Sequence, residues 1–105
     1  MRKLLALAAV LAVALASVAY AATKSVGVRD NFFRPTKLTI SKGTKVTWKW
    51  SGKVPHNVTV TKGPQKFNSR TQTTGSYSHV FRKAGTYKIL CTIHAPGMKM
   101  TVVVH

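Results

Sequence analysis

Residues 45–50 read KVTWKW, and this stretch indicates the fold class most directly. Its apolar side chains, Val46, Trp48 and Trp50, alternate with polar ones that include two lysines. Successive side chains of a β-strand point to opposite faces, so this alternation predicts a strand with one face in a core and the other in solvent. We therefore expect a sheet protein with a lysine-bearing outer surface.

Other short strands with the same pattern occur on both sides of this one. No stretch after Thr23 has a helical period, and the alternating runs are separated by Gly, Pro, Ser and Asn. The predicted strands are residues 25–29, 37–40, 45–50, 57–61, 77–81, 86–91 and 99–104, with residues 62–76 as a long surface loop. Short strands divided by frequent turn signals are typical of an all-β sandwich or barrel of antiparallel type.

The composition limits the chemistry that this domain can perform. The chain has 105 residues, enough for one domain, and a formal charge of +16 from seventeen basic residues and one acid, Asp30. One acid excludes mechanisms that need a carboxylate pair, such as ordinary glycoside hydrolysis, and excludes a carboxylate cage for Ca²⁺ or Mg²⁺. One cysteine, Cys91, excludes an internal disulfide and a four-cysteine zinc site.

The first part of the chain has the pattern of a secretory signal peptide. A basic start precedes an apolar run over residues 4–16, and residues 19–21, AYA, have small side chains at the two positions that signal peptidase reads. We predict a signal peptide over residues 1–21 and an exported domain over residues 22–105, in the periplasm or outside the cell. The alternative is a retained anchor, because residues 4–22 are just long enough to span a bilayer.

The segment CTIHAPGM, residues 91–98, contains most of the side chains that can bind a metal. Cys91, His94 and Met98 have a C-x2-H-x3-M spacing after a predicted strand, and His56 lies upstream between two other strands. A sandwich places such strand ends together. One thiolate, two imidazoles and one thioether suit copper, and a His₂Cys set with a weak axial Met is the blue-copper pattern, whereas zinc prefers a fourth Cys, His or carboxylate. A bound ion would also stabilise a domain of this size, which is otherwise marginal.

Further matches extend along most of the predicted exported domain. They are NFFRP at residues 31–35, GTKVTW at 43–48, PHNV at 55–58, and FRKAGTY at 81–87 followed by the ligand segment. With these motifs the chain resembles a small cupredoxin of the plastocyanin and amicyanin type. The resemblance implies a Greek-key β-sandwich or barrel of cupredoxin type that holds one type 1 copper ion. It implies His56, Cys91 and His94 as equatorial ligands and Met98 as the axial ligand.

The resemblance also implies roles for residues around the ligands. Asn57 would join the two ligand loops by hydrogen bonds. The ring edge of His94 would reach the surface and provide the path for electrons, within a small apolar patch of Pro55, Ala95, Pro96 and Gly97. The spacing between His94 and Met98 lies between the plastocyanin and amicyanin spacings, which leaves the strength of the axial bond and the redox potential open.

Several of these residues also have a purely structural interpretation. Cys91 could be a buried core thiol. His79 alternates with aromatic residues and Met100 alternates with valines, so we expect both to be structural rather than ligands. Trp48 and Trp50 are expected in the core.

The predicted function is one-electron transfer with copper cycling between Cu(I) and Cu(II). We do not expect an enzyme, because a closed four-ligand site has no position for a substrate. Two other classes remain open, namely a copper chaperone or buffer of the cell envelope and a metal-free basic interaction domain.

The charge bears on the choice of partner. Loss of Arg2 and Lys3 with the signal peptide would lower the formal charge from +16 to +14. Such a charge favours an acidic redox protein, because opposite potentials speed encounter, or an anionic membrane or envelope surface. No nucleic acid is expected, because the basic residues are dispersed and are not interleaved with exposed aromatics. We expect a monomer.

Overall fold

β-Strands dominate residues 22–105, the part of the chain that the structure, a computed structural model, describes. The strands are β1 (Thr23–Arg29), β2 (Phe32–Arg34), β3 (Lys37–Ile40), β4 (Thr44–Trp50), β5 (Thr59–Lys62), β6 (Ser76–Phe81), β7 (Gly85–Leu90) and β8 (Lys99–Val104). No helix in this part of the chain has the length and apolar character needed to cross a membrane. The predicted signal peptide, residues 1–21, lies outside the described residues.

The strands form two four-stranded sheets that enclose one apolar core. The strand order is β2-β1-β4-β6 in the first sheet and β3-β8-β7-β5 in the second. The all-β sandwich is thus confirmed, but the expected antiparallel character is only partly correct. The β1–β4 and β3–β8 pairs are parallel. Alternation in a sequence reports which face of a strand is buried and carries no information about the direction of its neighbour.

The strand that indicated the fold class lies inside its sheet. β4 pairs with β1 on one side and with β6 on the other. Val46 and Trp48 are completely buried and Trp50 is 8% exposed, while Lys49 is exposed. The predicted inward and outward faces of this strand are therefore confirmed, and both tryptophans belong to the core.

Two sequence predictions in other segments need correction. β2 was not predicted, because three residues next to Pro35 are too few to show alternation; it pairs with β1 across a turn in which Asn31 has a φ of 72°. The segment 62–76 is not only a surface loop. Phe67 packs against the core, and Asn68 forms an isolated bridge with Thr59.

His79 is a structural residue, as predicted, and lies in a cluster of aromatic rings in the core. Its ring stacks on Phe67 with a centroid distance of 3.8 Å and meets the edge of Phe81 at 4.8 Å. Its Nε2 is buried and has no hydrogen-bond partner among the described residues. Burial lowers the pKa of His79 below its usual value of 6.5, because the charged form loses hydration.

This burial predicts a pH dependence of stability. The unfolded chain binds a proton at His79 at a higher pH than the folded chain, so the free energy of unfolding should fall as the pH drops below about 6.5. His79→Phe should weaken that dependence. Urea titrations of both copper-loaded proteins at pH 7.5 and pH 5.5 measure how much stability each loses on acidification. The other histidines are the same in both proteins, so their effects cancel when the two losses are compared. An equal loss of stability in both proteins would contradict the prediction.

Candidate metal centre

The ligand segment is a hairpin loop between two paired strands. Leu90 and Lys99, the last residue of β7 and the first of β8, are register partners. The N–H of Cys91 donates to the carbonyl of Met98 at 3.0 Å, and the N–H of Met98 donates to the carbonyl of His94 at 3.2 Å. The N–H of His94 donates back to the carbonyl of Cys91 at 3.2 Å. These bonds close the loop and hold the backbone of Cys91, His94 and Met98 in one short turn.

His56 reaches the same point from the connection between β4 and β5. Its backbone N–H and carbonyl both pair with Gln72 at 3.0 Å, and the indole N–H of Trp50 donates to the same carbonyl at 3.2 Å. The residue is completely buried. Backbone pairing and burial therefore hold His56 at the site.

The three strong donor atoms converge. The Nδ1 atoms of His56 and His94 are 3.2 Å apart, and the Sγ of Cys91 lies 3.9 Å from the former and 3.5 Å from the latter. Nitrogen and sulfur ligands about 2.0–2.3 Å from one ion are about 3.5 Å apart when they surround it in a plane. The side chains present therefore fit a single ion bound by two imidazoles and a thiolate.

The two methionines have different roles. Met98 is 1% exposed and follows the loop that carries Cys91 and His94. Met100 is buried, and its Sδ accepts a hydrogen bond from the indole N–H of Trp48 at 3.4 Å. That bond ties the Met100 thioether to the core, as predicted, and leaves Met98 as the thioether of the ligand set.

Asn57 joins the two ligand-bearing segments, as predicted from the resemblance. Its Nδ2 donates to the Oγ1 of Thr92 at 2.8 Å and of Thr71 at 3.0 Å, and its Oδ1 accepts from the N–H of Thr92 at 3.1 Å. Thr92 directly follows the ligand Cys91. The amide therefore fixes the start of the ligand loop relative to His56.

Replacing Asn57 should loosen this arrangement. Asn57→Ala removes three hydrogen bonds to Thr71 and Thr92, each typically worth about 0.5–1.5 kcal/mol, so we expect a loss of about 1–3 kcal/mol in the free energy of unfolding. Thr71→Val removes only one of the hydrogen bonds and should cost less. Urea unfolding of the copper-loaded proteins measures both changes. Equal losses in the two variants would contradict a joining role for the amide.

Asp30 is the site residue that the sequence analysis missed. Its Oδ1 accepts a hydrogen bond from the Nε2–H of His56 at 2.9 Å, and the carboxylate also accepts from the backbone N–H groups of Lys53 and Val54. The bond from His56, followed by those from the two backbone groups, lowers the pKa of the Asp30 carboxyl below its usual value of 3.8. No local pattern in the sequence indicates this contact, because the two residues are 26 positions apart.

The ring of His94 is only partly buried, and its neighbours in the sequence include several exposed apolar residues. The exposed apolar residues of the two ligand-bearing loops are Val54, Pro55, Ile93, Ala95, Pro96 and Gly97, which we call the apolar rim. Ile93 is 51% exposed and Val54 is 40% exposed. Both are among the large apolar side chains that the described residues leave exposed.

Comparison with known proteins agrees with this site. The family model of copper-binding proteins of the plastocyanin/azurin family matches residues 21–105. The chain is 35% identical to amicyanin-alpha of Methylorubrum extorquens over an alignment that covers 94% of this chain and 87% of that protein.

Solved structures show the same likeness. A purple cupredoxin from Nitrosopumilus maritimus has a TM-score of 0.70 and 29% identity, over 78% of this chain and 99% of that one. A reduced Cu(I) form of an amicyanin mutant has a TM-score of 0.70 and 31% identity, over 86% of this chain and 88% of that one. An oxidised amicyanin mutant has a TM-score of 0.68 and 30% identity, over 79% of this chain and 82% of that one.

Proposed function

Because the chain belongs to the plastocyanin/azurin family of copper-binding proteins and is a small cupredoxin similar to amicyanin, we propose that it carries single electrons between redox partners outside the cytoplasm. Its type 1 copper site consists of His56, Cys91, His94 and Met98. Bound copper supplies a one-electron couple between Cu(II) and Cu(I). The similar amicyanin mutants have been solved in an oxidised and in a reduced Cu(I) form, which supports the same cycle here.

The convergence of three fixed donor atoms is the observation that carries the proposal. Backbone hydrogen bonds hold the loop of Cys91 and His94, and Trp50 and Gln72 hold His56. Ligands that are fixed by the surrounding protein move little when the charge of the site changes. Little movement means a small reorganisation energy, and that favours rapid electron transfer.

The apolar rim suits this function because it gives a partner close access to the ring of His94. Docking on small apolar side chains is readily reversible, as a carrier requires. With four protein ligands the site offers no open position for a substrate, in contrast to catalytic metal sites, which keep one. We therefore propose a carrier and not an enzyme.

The test is the kinetics of the copper-loaded protein. We expect a reversible one-electron voltammetric wave and rapid electron self-exchange between Cu(I) and Cu(II) forms. Slow self-exchange would contradict the carrier function. The alternative function is a copper chaperone or buffer of the cell envelope. Such a protein should lose copper rapidly to a Cu(I) chelator, so the two measurements together separate the functions.

We further propose an acidic redox protein as the partner of the monomeric carrier. Three exposed lysines, Lys37, Lys88 and Lys62, lie in one register across the second sheet, with Thr101 between the first two. We call them the lysine row. Like charges opposite each other destabilise a sheet, so the row favours a role in binding over one in folding. An anionic envelope surface is the alternative partner.

The lysine row predicts that the rate of electron transfer to an acidic partner depends on the salt concentration. Steering by opposite charge raises association rates by about 10–10³-fold and fades with ionic strength. Lys37→Gln combined with Lys88→Gln should slow electron transfer to an acidic cytochrome at low salt, and the rates should converge at high salt. Stopped-flow mixing measures the rates. The matched control is Lys24→Gln with Lys49→Gln, an equal charge loss on exposed positions of the other sheet. An equal effect of both pairs would show that only the net charge matters.

A further inference from the structure

We propose that Asp30 is a positioning residue for the copper ligand His56: its carboxylate holds the imidazole with Nε2 protonated and Nδ1 toward the metal, and its charge favours the Cu(II) state. The proposal rests on the copper site and is independent of whether the protein carries electrons. It assigns a role to the only acid in the chain.

The first argument is the geometry of the two nitrogen atoms of the His56 ring. The Nε2 of His56 lies 2.9 Å from the Oδ1 of Asp30, while the Nδ1 lies 3.9 Å from the Sγ of Cys91. A carboxylate accepts hydrogen bonds, so the proton of the neutral ring belongs on Nε2. The lone pair of Nδ1 is then free for the metal. Metal-binding histidines are oriented in this way by carboxylates in many proteins.

The second argument is that the carboxylate is itself held in place. Its Oδ1 and Oδ2 each accept from the N–H of Lys53 at 3.0 Å, and its Oδ1 also accepts from the N–H of Val54 at 3.2 Å. Lys53 and Val54 belong to the segment that leads into His56. The same group thus fixes both the backbone before the ligand and the ring of the ligand.

The third argument is that neighbouring positions leave space for this carboxylate. A Cβ atom at position 52 would collide with the Oδ1 of Asp30 and would lie 2.6 Å from its Cγ. Gly52 therefore lets the carboxylate approach the loop. The backbone turns directly after Asp30, where Asn31 adopts a φ of 72°, a conformation that few residue types tolerate.

The fourth argument is electrostatic. Cu(II) with one thiolate has a net charge of +1, and Cu(I) with one thiolate is neutral. A carboxylate hydrogen-bonded to a ligand increases the basicity of that ligand and stabilises the more positive state. Asp30 should therefore strengthen Cu(II) binding more than Cu(I) binding, which lowers the reduction potential.

Two variants separate the charge from the hydrogen bond. Asp30→Asn keeps a carbonyl acceptor for the Nε2–H and removes the charge, whereas Asp30→Ala removes both. Loss of a group of this kind typically weakens metal binding about 10–100-fold. We expect the Cu(II) affinity of Asp30→Asn to fall at least about tenfold more than its Cu(I) affinity, and a tenfold difference raises a one-electron potential by about 59 mV. Voltammetry and competition titrations measure these quantities.

Thr86→Lys is the matched control, because it changes the net charge by the same amount. Thr86 is exposed near the start of β7, five residues from Cys91 and therefore about 16 Å away along the strand. If the potential of Asp30→Asn differs from that of the wild type by no more than the potential of Thr86→Lys does, the proposal is wrong. A lower unfolding midpoint with an unchanged potential would likewise overturn it and leave Asp30 as a loop-stabilising residue.

A measurement on the unsubstituted protein keeps the proposal testable if the variants fold poorly. In the Cu(I)-loaded wild type, NMR should show the Nε2 proton of His56 hydrogen-bonded and in slow exchange with water. A rapidly exchanging proton would overturn the assignment. Failure of either test leaves copper binding and electron transfer unaffected, so it can be distinguished from failure of the proposed function.

Discussion

Cys91→Ser should abolish the visible absorption of the copper-loaded protein. The Sγ of Cys91 lies within 3.9 Å of the Nδ1 atoms of both His56 and His94, and it is the only thiolate that the chain can offer. The blue-copper spectrum depends on a copper–thiolate bond, so the band should disappear and not merely shift. A hydroxyl is a much weaker ligand, and Cu(II) affinity should fall with it.

The measurement is an absorption spectrum together with the copper content. Met100→Leu is the matched control, because it alters a buried sulfur outside the ligand set and conserves side-chain volume. This control should retain the blue band. A blue Cys91→Ser protein, or a wild type that stays colourless with Cu(II), would contradict the copper site described above.

Trp48→Ala should cause the largest loss of stability among single core substitutions. Trp48 is completely buried, and its ring centroid lies 6.0–6.3 Å from those of Phe67, Tyr77 and Phe81. Replacing a buried Trp with Ala typically costs about 3–5 kcal/mol. Small domains have a total stability of about 5–15 kcal/mol, so the variant should be close to unfolding without copper. Bound copper should restore part of the loss, since it binds only the folded state.

Urea titrations with and without copper measure this effect. Trp48→Phe, which keeps a ring, should cost less than Trp48→Ala. Phe32→Ala is the surface control, because Phe32 is 43% exposed and most such changes are within about 0.5 kcal/mol. If Trp48→Ala costs no more than Phe32→Ala, the aromatic core does not support the sandwich as described.

The features that the sequence predicts correctly are those that depend on residues close together in the chain. Strict alternation identified β4 and its buried face, and ligand spacing identified Cys91, His94 and Met98. The predicted bounds of β3 and β8 agree with the structure, because Pro35 and the Gly97 turn limit them clearly. His56 was added because a sandwich places strand ends together, whereas the cupredoxin fold and the equatorial and axial roles came from the resemblance of several motifs.

What the sequence did not predict depends on residues far apart in the chain. The parallel pairing of β1 with β4 joins strands about twenty residues apart, and no alternation encodes it. The contact between Asp30 and His56 spans 26 positions and depends on the turn after β1. Such contacts follow from the arrangement of the sheets, so they become visible only once the fold is known.

The hairpin between β7 and β8 has a consequence for how this protein family can change. Because Leu90 and Lys99 pair directly, all residues of the ligand segment lie outside the strand ladder. Lengthening a loop costs little, about 0.6 kcal/mol for each doubling. Insertions or deletions between His94 and Met98 can therefore alter the position of the axial thioether while the sandwich stays the same. The length of this loop is therefore not set by the pairing of the two strands that it joins.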